Sequence, residues 1–258
     1  MGSIKFHLLN ENKQFIFAHR GFTSLYPENT LESIEYALDD IDIDGVELDL
    51  TFTKDKKIVI FHDKNLERLF KRSDKINELD EKCLRELDIT GKIGLKDISY
   101  NRKYKIIFLD DLINIIEKYP KKIFNLELKY YSHDLNLLNE FKNIITKNLQ
   151  KFDSQIIYTS FNLDLIQNFS MNSPNYKTGM LIHKQEKLVE FLKKGTFVDY
   201  LILNKNLDLS IINNKFYIGV YTLNSNKYED EDPNIEANNN IDSVILKNDN
   251  IKIFIIDY

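Results

Sequence analysis

One stretch of the sequence, residues 44–50, constrains the fold more than any other. Read as a strand, it places apolar side chains on one face and the carboxylates of Glu47 and Asp49 on the other. The plain interpretation is that such a polar face meets solvent. A second stretch, residues 123–129, repeats the pattern, with Glu127 on its polar face. Two such strands favour a β/α barrel, whose apolar strand faces lie under helices and whose acids lie at the rim.

The length, charge and cysteine count of the chain limit its domain number, its partners and its disulfides. The chain has 258 residues, 43% hydrophobic and 29% charged, with a formal net charge of -5. This length suits one (β/α)8 barrel, although two smaller domains would fit it equally well. The acidic balance argues against general nucleic-acid binding. A single cysteine, Cys83, excludes an internal disulfide.

We expect neither a membrane span nor a signal peptide. The sequence contains no apolar run of about 18 residues and no leader in which charged residues precede an apolar segment. We therefore predict a cytoplasmic protein.

The candidate strands are separated mostly by helical patterns, which predicts a parallel sheet. They cover residues 15–18, 45–50, 57–61, 123–128, 155–159, 178–182, 200–203, 216–221 and 243–246. Helices are predicted at residues 30–39 with Thr30 as N-cap, from Asp110 to the residues before Pro120, and at 185–194 up to Gly195. We predict an irregular (β/α)8 TIM-type barrel in which residues 1–258 form one domain. Nine strands are one too many, so one of them is wrong or lies outside the barrel.

Two features make the predicted barrel irregular. Residues 51–56 are too few for a helical crossover, so the second and third candidate strands either form a hairpin or are joined by a segment that returns extended. We favour the extended segment, because it places His62 at the same rim as Glu47. Residues 64–104 form an insertion after the third strand, with one helix at 80–87, and we expect Cys83 to be a small core residue there.

Histidines follow two of the strands directly. His19 follows residues 15–18, and His62 follows residues 57–61. A lone histidine in such a place is usually structural, but two of them beside strand-end acids point to function. We interpret His7, His133 and His183, which lack that setting, as surface or packing residues.

Three carboxylates at one rim repel one another. At about 4 Å and an effective dielectric near 20, each pair costs about 4 kcal/mol, which a bound cation or protonation must offset. Ligands that are all oxygen favour Mg²⁺ or Ca²⁺ over zinc. Such an ion beside Arg20 and Lys129 suits a phosphate group, and two histidines can act as general acid and base near neutral pH. Together these groups favour phosphodiester cleavage.

Five short motifs follow one another along the chain. In order, they are His19-Arg20-Gly21, Pro27-Glu28-Asn29-Thr30, Glu47-Leu48-Asp49, His62-Asp63 and Glu127-Leu128-Lys129. This set of motifs resembles that of the glycerophosphodiester phosphodiesterase family. The resemblance runs from about residue 14 to the C-terminus and implies an irregular TIM-type barrel. It also implies metal ligation by Glu47, Asp49 and Glu127, acid/base catalysis by His19 and His62, and phosphate binding by Arg20 and Lys129.

Other residues take their expected roles from the same resemblance. Glu28 supports the site by holding Arg20 or the metal cluster, while a capping role is at least as reasonable for Asn29 and Thr30. Ser160 and Phe161 match a strand-end pair of the family and either line the pocket or pack. Tyr221 stands in an aromatic-Thr-Leu-Asn stretch and either covers the glycerol or head-group or caps the barrel core. The closing Ile-Thr-Asp element of the family is replaced, in our interpretation, by residues 245–249.

The predicted function is metal-dependent hydrolysis of small glycerophosphodiesters to glycerol 3-phosphate and an alcohol, with Mg²⁺ or Ca²⁺ as cofactor. No nucleic-acid partner and no stable membrane insertion are expected. The sequence leaves open the oligomeric state, the head-group, the histidine that acts as base, and whether water or the glycerol hydroxyl attacks. The alternatives are a phosphodiesterase for lysophospholipids or phosphoinositides, a carbohydrate-type barrel enzyme with paired acids, and a non-catalytic barrel that binds phosphorylated ligands.

Overall fold

The computed structural model describes residues 13–92, 99–132, 134–172, 176–194, 198–212, 216–223 and 250–257. The strands found there are β1 (Phe15–His19), β2 (Gly45–Phe52), β3 (Ile58–Ile60), β4 (Ile89–Lys92), β5 (Ser99–Tyr104), β6 (Ile107–Phe108), β7 (Ile123–Leu128), β8 (Ile156–Ser160), β9 (Lys177–Ile182), β10 (Tyr200–Asn204), β11 (Tyr217–Leu223) and β12 (Ile251–Ile256). The helices are α1 (Leu31–Asp39), α2 (Glu67–Phe70), α3 (Glu81–Glu86), α4 (Leu109–Lys118), α5 (Leu135–Leu149), α6 (Leu163–Asn172) and α7 (Gln185–Lys194).

Eight of these strands close into a parallel ring. The ring runs β1, β2, β7, β8, β9, β10, β11, β12 and back to β1, and every neighbouring pair is parallel. α-Helices lie between most pairs of ring strands that succeed one another along the chain, so the predicted TIM-type barrel is confirmed. Because all eight strands run the same way, their C-terminal ends share one rim.

The two faces of the ring strands have different environments. The outward apolar residues of β2 and β7 pack in one buried cluster with side chains of α1, α4 and α5. The inward positions are apolar near the N-terminal ends of the strands, as at Phe17 and Ile123, and become carboxylates towards the C-terminal ends. Gly45 brings β2 close to β7, since a Cβ there would lie 2.0 Å from the carbonyl oxygen of Ile123.

The prediction that an extended segment joins the second and third strands is wrong. β2 and β3 are antiparallel, so they form a hairpin. The turn is closed because Thr53 N–H donates to the Lys57 carbonyl (3.0 Å), and Lys56 adopts a positive φ of 62°. A hydrophobic pattern does not reveal the direction of such a return. His62 still reaches the predicted rim, because the chain comes back to the level of Asp49, whose carbonyl accepts from Phe61 N–H (2.9 Å).

The structure also shows which of the nine candidate strands lies outside the barrel. The candidate at 57–61 is β3, which lies outside the ring between β2 and β6. The ring is closed by β12, which the sequence interpretation did not include, and the predicted strand at 243–246 lies outside the described residues. His7, His133 and Gly195 lie outside them as well.

The three named helices of the prediction are confirmed. Thr30 caps α1, since its hydroxyl oxygen accepts from Ser33 N–H (3.3 Å). α4 begins at Leu109, one residue before the predicted start, and α7 has the predicted bounds. No helix in the described parts of the chain has the length and apolar character that crossing a membrane would need.

The insertion builds its own apolar cluster on β3 and β6. Its buried members include Leu66, Leu69, Ile76 and Leu84, which pack with Phe61 and other residues of this face. The predicted helix is confirmed as α3, but the prediction for Cys83 is wrong, because this side chain is exposed. Cys83 and Leu84 are adjacent on one turn of α3. Because Leu84 lies on the buried face of the helix, Cys83 faces solvent.

Candidate active site

Three buried carboxylates meet at the C-terminal rim, as predicted. Glu47 and Asp49 project inward from β2, and Glu127 projects from the adjacent β7, where it pairs in register with Asp49. One oxygen from each lies within 4.8 Å of the others. All three residues are at most 8% exposed. The alternation of the strands places these acids together.

Glu47 is the unusual member of this cluster. Both of its carboxylate oxygens are buried, and neither accepts a hydrogen bond from a described residue. Burial raises the pKa of Glu47 well above its usual range, and the charges of Asp49 and Glu127 raise it further. An orphaned carboxylate beside two others fits a cation site with oxygen ligands, because a divalent ion would satisfy these lone pairs.

Asp49 lies at the centre of the polar contacts. Lys129 Nζ lies 3.3 Å from Asp49 Oδ1 and 3.1 Å from Glu127 Oε1. Arg20 Nε lies 3.4 Å from Asp49 Oδ2, and Asn29 Nδ2 donates to that same oxygen (2.8 Å). Although burial opposes it, the charges of Lys129, His62 and Arg20 hold the pKa of Asp49 far below its usual range. The cluster thus keeps at least one charged carboxylate.

The loop after β1 is shaped by left-handed residues. Arg20, Gly21 and Asn29 have φ values of 58°, 90° and 57°. The loop folds back so that Asn29 N–H donates to the Arg20 carbonyl (2.9 Å), while Arg20 N–H donates to the Glu47 carbonyl (2.9 Å). A Cβ at Gly21 would lie 2.6 Å from atoms of Ser33, so glycine is needed there. This backbone brings Arg20 and Asn29 to Asp49.

Each of the two predicted catalytic histidines is held by an aspartate. His19 Nδ1 lies 2.6 Å from Asp257 Oδ1, and His62 Nδ1 lies 2.7 Å from Asp63 Oδ1. Because a carboxylate accepts, the Nδ1–H donates in both pairs, and Nε2 lies on the opposite side of each ring. His19 Nε2 lies 3.7 Å from Glu47 Oε2. The structure therefore brings the His19 imidazole to the acidic cluster, and it places His62 near enough to Asp49 for its charge to act on that carboxylate.

Glu28 is bound by two arginines. Arg68 makes a bidentate pair with it, with N–O distances of 2.6 and 2.7 Å, and Arg20 Nη1 donates to Glu28 Oε1 (3.1 Å). These cations hold the pKa of Glu28 well below its usual range although burial opposes them. Of the two roles expected for Glu28, the structure shows the contact with Arg20.

The remaining predicted residues lie farther round the rim. Ser160 is buried, and its hydroxyl donates to the Leu128 carbonyl (2.7 Å), so it joins the ends of β7 and β8. Phe161 is exposed, and its ring centroid lies 6.1 Å from that of Tyr221 and 5.7 Å from that of His183. His183, for which we predicted a surface or packing role, is exposed and contacts the Phe161 ring. The rings of Phe161, Tyr221 and His183 form an aromatic edge of the C-terminal rim of the barrel.

Sequence reasoning assigned no role to three residues of the site. Asp257 follows β12, whose residues 251–256 form the strand beside β1. The interpretation that residues 245–249 replace the closing element of the family concerns residues outside the described ranges. The apolar run of residues 251–256 is the signal that could have located Asp257. Asp63 adjoins His62, and Arg68 lies five residues farther on, inside the insertion, where no local pattern marks it.

Comparisons with known proteins agree with this geometry. The profile of the glycerophosphoryl diester phosphodiesterase family matches residues 19–232. The chain is 26% identical over 176 residues to a glycerophosphodiester phosphodiesterase of Caldanaerobacter subterraneus, covering 66% of this chain and 67% of the relative.

Two solved structures are similar over most of the chain. A glycerophosphodiester phosphodiesterase of Thermotoga maritima has a TM-score of 0.67 and 26% identity, covering 95% of this chain and 94% of that one. A phosphodiesterase of Oleispira antarctica in complex with the product sn-glycerol-3-phosphate has a TM-score of 0.69 and 21% identity, with the same coverage. The chain therefore belongs to the glycerophosphoryl diester phosphodiesterase family.

Proposed function

We propose that the chain hydrolyses small glycerophosphodiesters to glycerol 3-phosphate and an alcohol, in a reaction that depends on a divalent cation. Membership of the family supports the reaction class. The Oleispira phosphodiesterase, which has the same fold, was captured with sn-glycerol-3-phosphate. We propose the cytoplasm as the compartment, in keeping with a single cysteine that excludes an internal disulfide.

One observation carries the proposal. Glu47, whose two buried carboxylate oxygens accept no hydrogen bond from a described residue, lies beside Asp49 and Glu127. The aspartate-held His19 lies 3.7 Å from Glu47 Oε2, and the charge of the second aspartate-held histidine, His62, acts on Asp49. A carbohydrate-type site needs two carboxylates but neither the histidines nor the cations beside them. Glu47, Asp49 and Glu127 would hold the ion, and their oxygen donors favour Mg²⁺ or Ca²⁺.

The charges of the site suit a phosphodiester. Lys129 contacts Asp49 and Glu127, and Arg20 contacts Asp49 and Glu28. A divalent ion would balance the carboxylate of Glu47, which accepts no hydrogen bond from a described residue. When bound, the ion would supply Lewis-acid polarisation of the phosphate. Arg20 and Lys129 would donate to the non-bridging oxygens and stabilise the charge that develops there.

The histidines would move the protons. One imidazole accepts the proton of the attacking hydroxyl, from water or from the neighbouring glycerol hydroxyl, as a new P–O bond forms. The other donates a proton to the leaving alcohol oxygen as its P–O bond breaks. If the glycerol hydroxyl attacks, the product is a cyclic phosphate, which a water molecule then opens by the reverse proton transfers.

The test is release of glycerol 3-phosphate from glycerophosphocholine, with and without a chelator. We expect turnover that stops in chelator and returns with Mg²⁺ or Ca²⁺. His19→Ala and His62→Ala should each lower kcat by about 10² to 10⁴ while the melting temperature stays near that of the wild type. Turnover of lysophosphatidylcholine with silence on glycerophosphocholine would move the substrate to lysophospholipids, and silence on both would contradict the proposal.

A further inference from the structure

Arg68 is the one residue of the insertion that the described contacts tie to the active site. It lies on α2, and all three nitrogens of its guanidinium group donate hydrogen bonds to carboxylates. Nη1 and Nη2 donate to Glu28, and Nε donates to Asp63. We propose that Arg68 is a positioning residue that sets both the phosphate-binding Arg20 and the catalytic His62 through these two carboxylates. The assignment rests on the proposed function for the roles of Arg20 and His62.

The first connection runs through Glu28. Its contacts with Arg68 (2.6 and 2.7 Å) are shorter than its contact with Arg20 Nη1 (3.1 Å). Arg68 therefore makes the two shortest contacts of Glu28 and shares with Arg20 the neutralisation of its charge. Without Arg68, Glu28 would draw Arg20 into a closer pair, and the guanidinium of Arg20 would have less charge and freedom to offer a phosphate oxygen.

The second connection runs through Asp63. Arg68 Nε donates to Asp63 Oδ2 (2.8 Å), and the other oxygen, Oδ1, accepts from His62 Nδ1 (2.7 Å). The guanidinium thus fixes the plane of the carboxylate that fixes the imidazole. Loss of Arg68 would free Asp63 to rotate, and His62 Nε2 would lose its fixed direction towards the site. A shift of about 1 Å at a reacting group can cost about 10²-fold in rate.

The three hydrogen bonds made at position 68 require an arginine. Three hydrogen bonds to two carboxylates use the planar fork of the guanidinium on both of its edges, whereas a lysine ammonium is a single point on a flexible stem. Two arginines and two carboxylates also balance in charge within a half-buried network, where bonds to charged groups are stronger than in water. Arg68→Lys is therefore expected to restore little of what Arg68→Gln loses.

The same insertion contains a matched control. Arg85 lies on α3 and also bonds three times to carboxylates, with Glu81 at 2.7 Å, Asp111 at 3.0 Å and Asp110 at 2.6 Å. Its guanidinium lies 4.3 Å from the ring centroid of Phe108. None of these partners belongs to the active site. Arg85→Gln removes the same group from a comparable network and should affect stability alone.

The kinetic test compares Arg68→Gln, Arg68→Lys and Arg85→Gln on glycerophosphocholine. For Arg68→Gln we expect kcat to fall about 10- to 100-fold, with a higher KM and weaker inhibition by glycerol 3-phosphate, both through Arg20. Arg85→Gln should stay within about twofold of the wild type in kcat by the same reasoning. In a His62→Ala background, Arg68→Gln should lower kcat far less, because His62, the one of its two positioned residues that transfers a proton, is gone. Equal losses in both backgrounds would overturn the proposal.

A second measurement keeps the proposal testable without turnover. In ¹⁵N-histidine-labelled protein, His62→Ala identifies the His62 ring signals, and Arg68→Gln should shift them and remove the hydrogen-bonded Nδ1–H resonance. Arg85→Gln should leave them in place. Unchanged His62 signals in Arg68→Gln would overturn the assignment, whereas absence of turnover in the wild type with these shifts present would count against the proposed function alone.

Discussion

At the scale of single residues, Glu47 is the side chain with the most to gain from a ligand. Its buried oxygens have no hydrogen-bond donor among the described residues, and two other carboxylates lie beside it. We predict that saturating Mg²⁺ or Ca²⁺ stabilises the wild type, by about 2.7 kcal/mol at one hundred times Kd, and that Glu47→Gln abolishes most of this stabilisation. Thermal unfolding with chelator and with each cation measures it.

The control for this prediction is Glu190→Gln. Glu190 is exposed, with Lys187 at 3.0 Å and Lys194 at 2.9 Å, so its loss removes a carboxylate without touching the site. It should keep the full response to the cation. In chelator, Glu47→Gln should be no less stable than the wild type, because the amide relieves repulsion from Asp49 and Glu127. A cation response that survives in Glu47→Gln would contradict the assignment of the ligands.

Asp257 is predicted to act through His19. Its carboxylate fixes the imidazole from the Nδ1 side, so Asp257→Asn should disturb the orientation and tautomer of His19 while both side chains keep their size. We expect kcat to fall about 10- to 100-fold with KM little changed. Steady-state kinetics on glycerophosphocholine measure both constants.

A second background separates positioning from general damage. In His19→Ala, the further change Asp257→Asn should have little effect on kcat, and the melting temperature of Asp257→Asn should stay close to that of the wild type, because the pair is partly exposed. A loss of kcat that is as large without His19 as with it would show that Asp257 acts elsewhere.

At the scale of secondary structure, the elements that the sequence predicted well are those with a local signal. The period of two in β2 and β7 and the N-cap at Thr30 are properties of neighbouring residues, and the structure confirms the elements that they predicted. The β2–β3 hairpin was predicted wrongly because the direction of the return depends on a positive φ at Lys56 and on bonds around Thr53. No apolar pattern carries that information.

The cap of α1 gives a prediction for an element. The Thr30 hydroxyl oxygen accepts from Ser33 N–H, and its proton goes to the Pro27 carbonyl (2.7 Å), so the side chain joins the helix to the loop that carries Glu28. Thr30→Ala should lower the free energy of unfolding by about 1 to 2 kcal/mol. Thr30→Ser, which keeps the hydroxyl, should lose much less. Denaturant unfolding of both variants measures this, and equal losses would show that the methyl group matters rather than the cap.

At the scale of the whole molecule, the sequence predicted the barrel and the acids but not the supports of the histidines. The acids lie on adjacent strands at positions that the strand period fixes. Asp257 meets His19 only because the ring closes, which joins residues 238 positions apart. Arg68 comes from an insertion that has its own apolar cluster. The contacts of Asp257 with His19 and of Arg68 with Glu28 depend on tertiary structure, because their partners lie 238 and 40 positions apart.

The dependence of stability on pH tests a group at the opposite end of the barrel. Asp153 precedes β8, and its Oδ1 is buried with no hydrogen-bond partner among the described residues. Burial raises the pKa of Asp153 to about 6, whereas an unfolded aspartate titrates near 4. Between these values the folded state holds a proton that the unfolded state has lost. The free energy of unfolding therefore falls as pH rises from about 4 to about 6, and it stays at this lower value above about pH 6.

We predict that Asp153→Asn removes this loss. The difference in unfolding free energy between variant and wild type should be near zero below about pH 4, grow through pH 5, and level off above about pH 6 at about 1 to 3 kcal/mol. Urea unfolding in chelator across this range measures it, because the acids of the active site then contribute equally to both proteins. Asp55 supplies a control of opposite sign: bonds from Thr53 and Glu81 lower the pKa of Asp55, so Asp55→Asn should destabilise at neutral pH and recover as pH falls. A flat difference for Asp153→Asn would mean that water reaches this carboxylate in the folded state and satisfies it there.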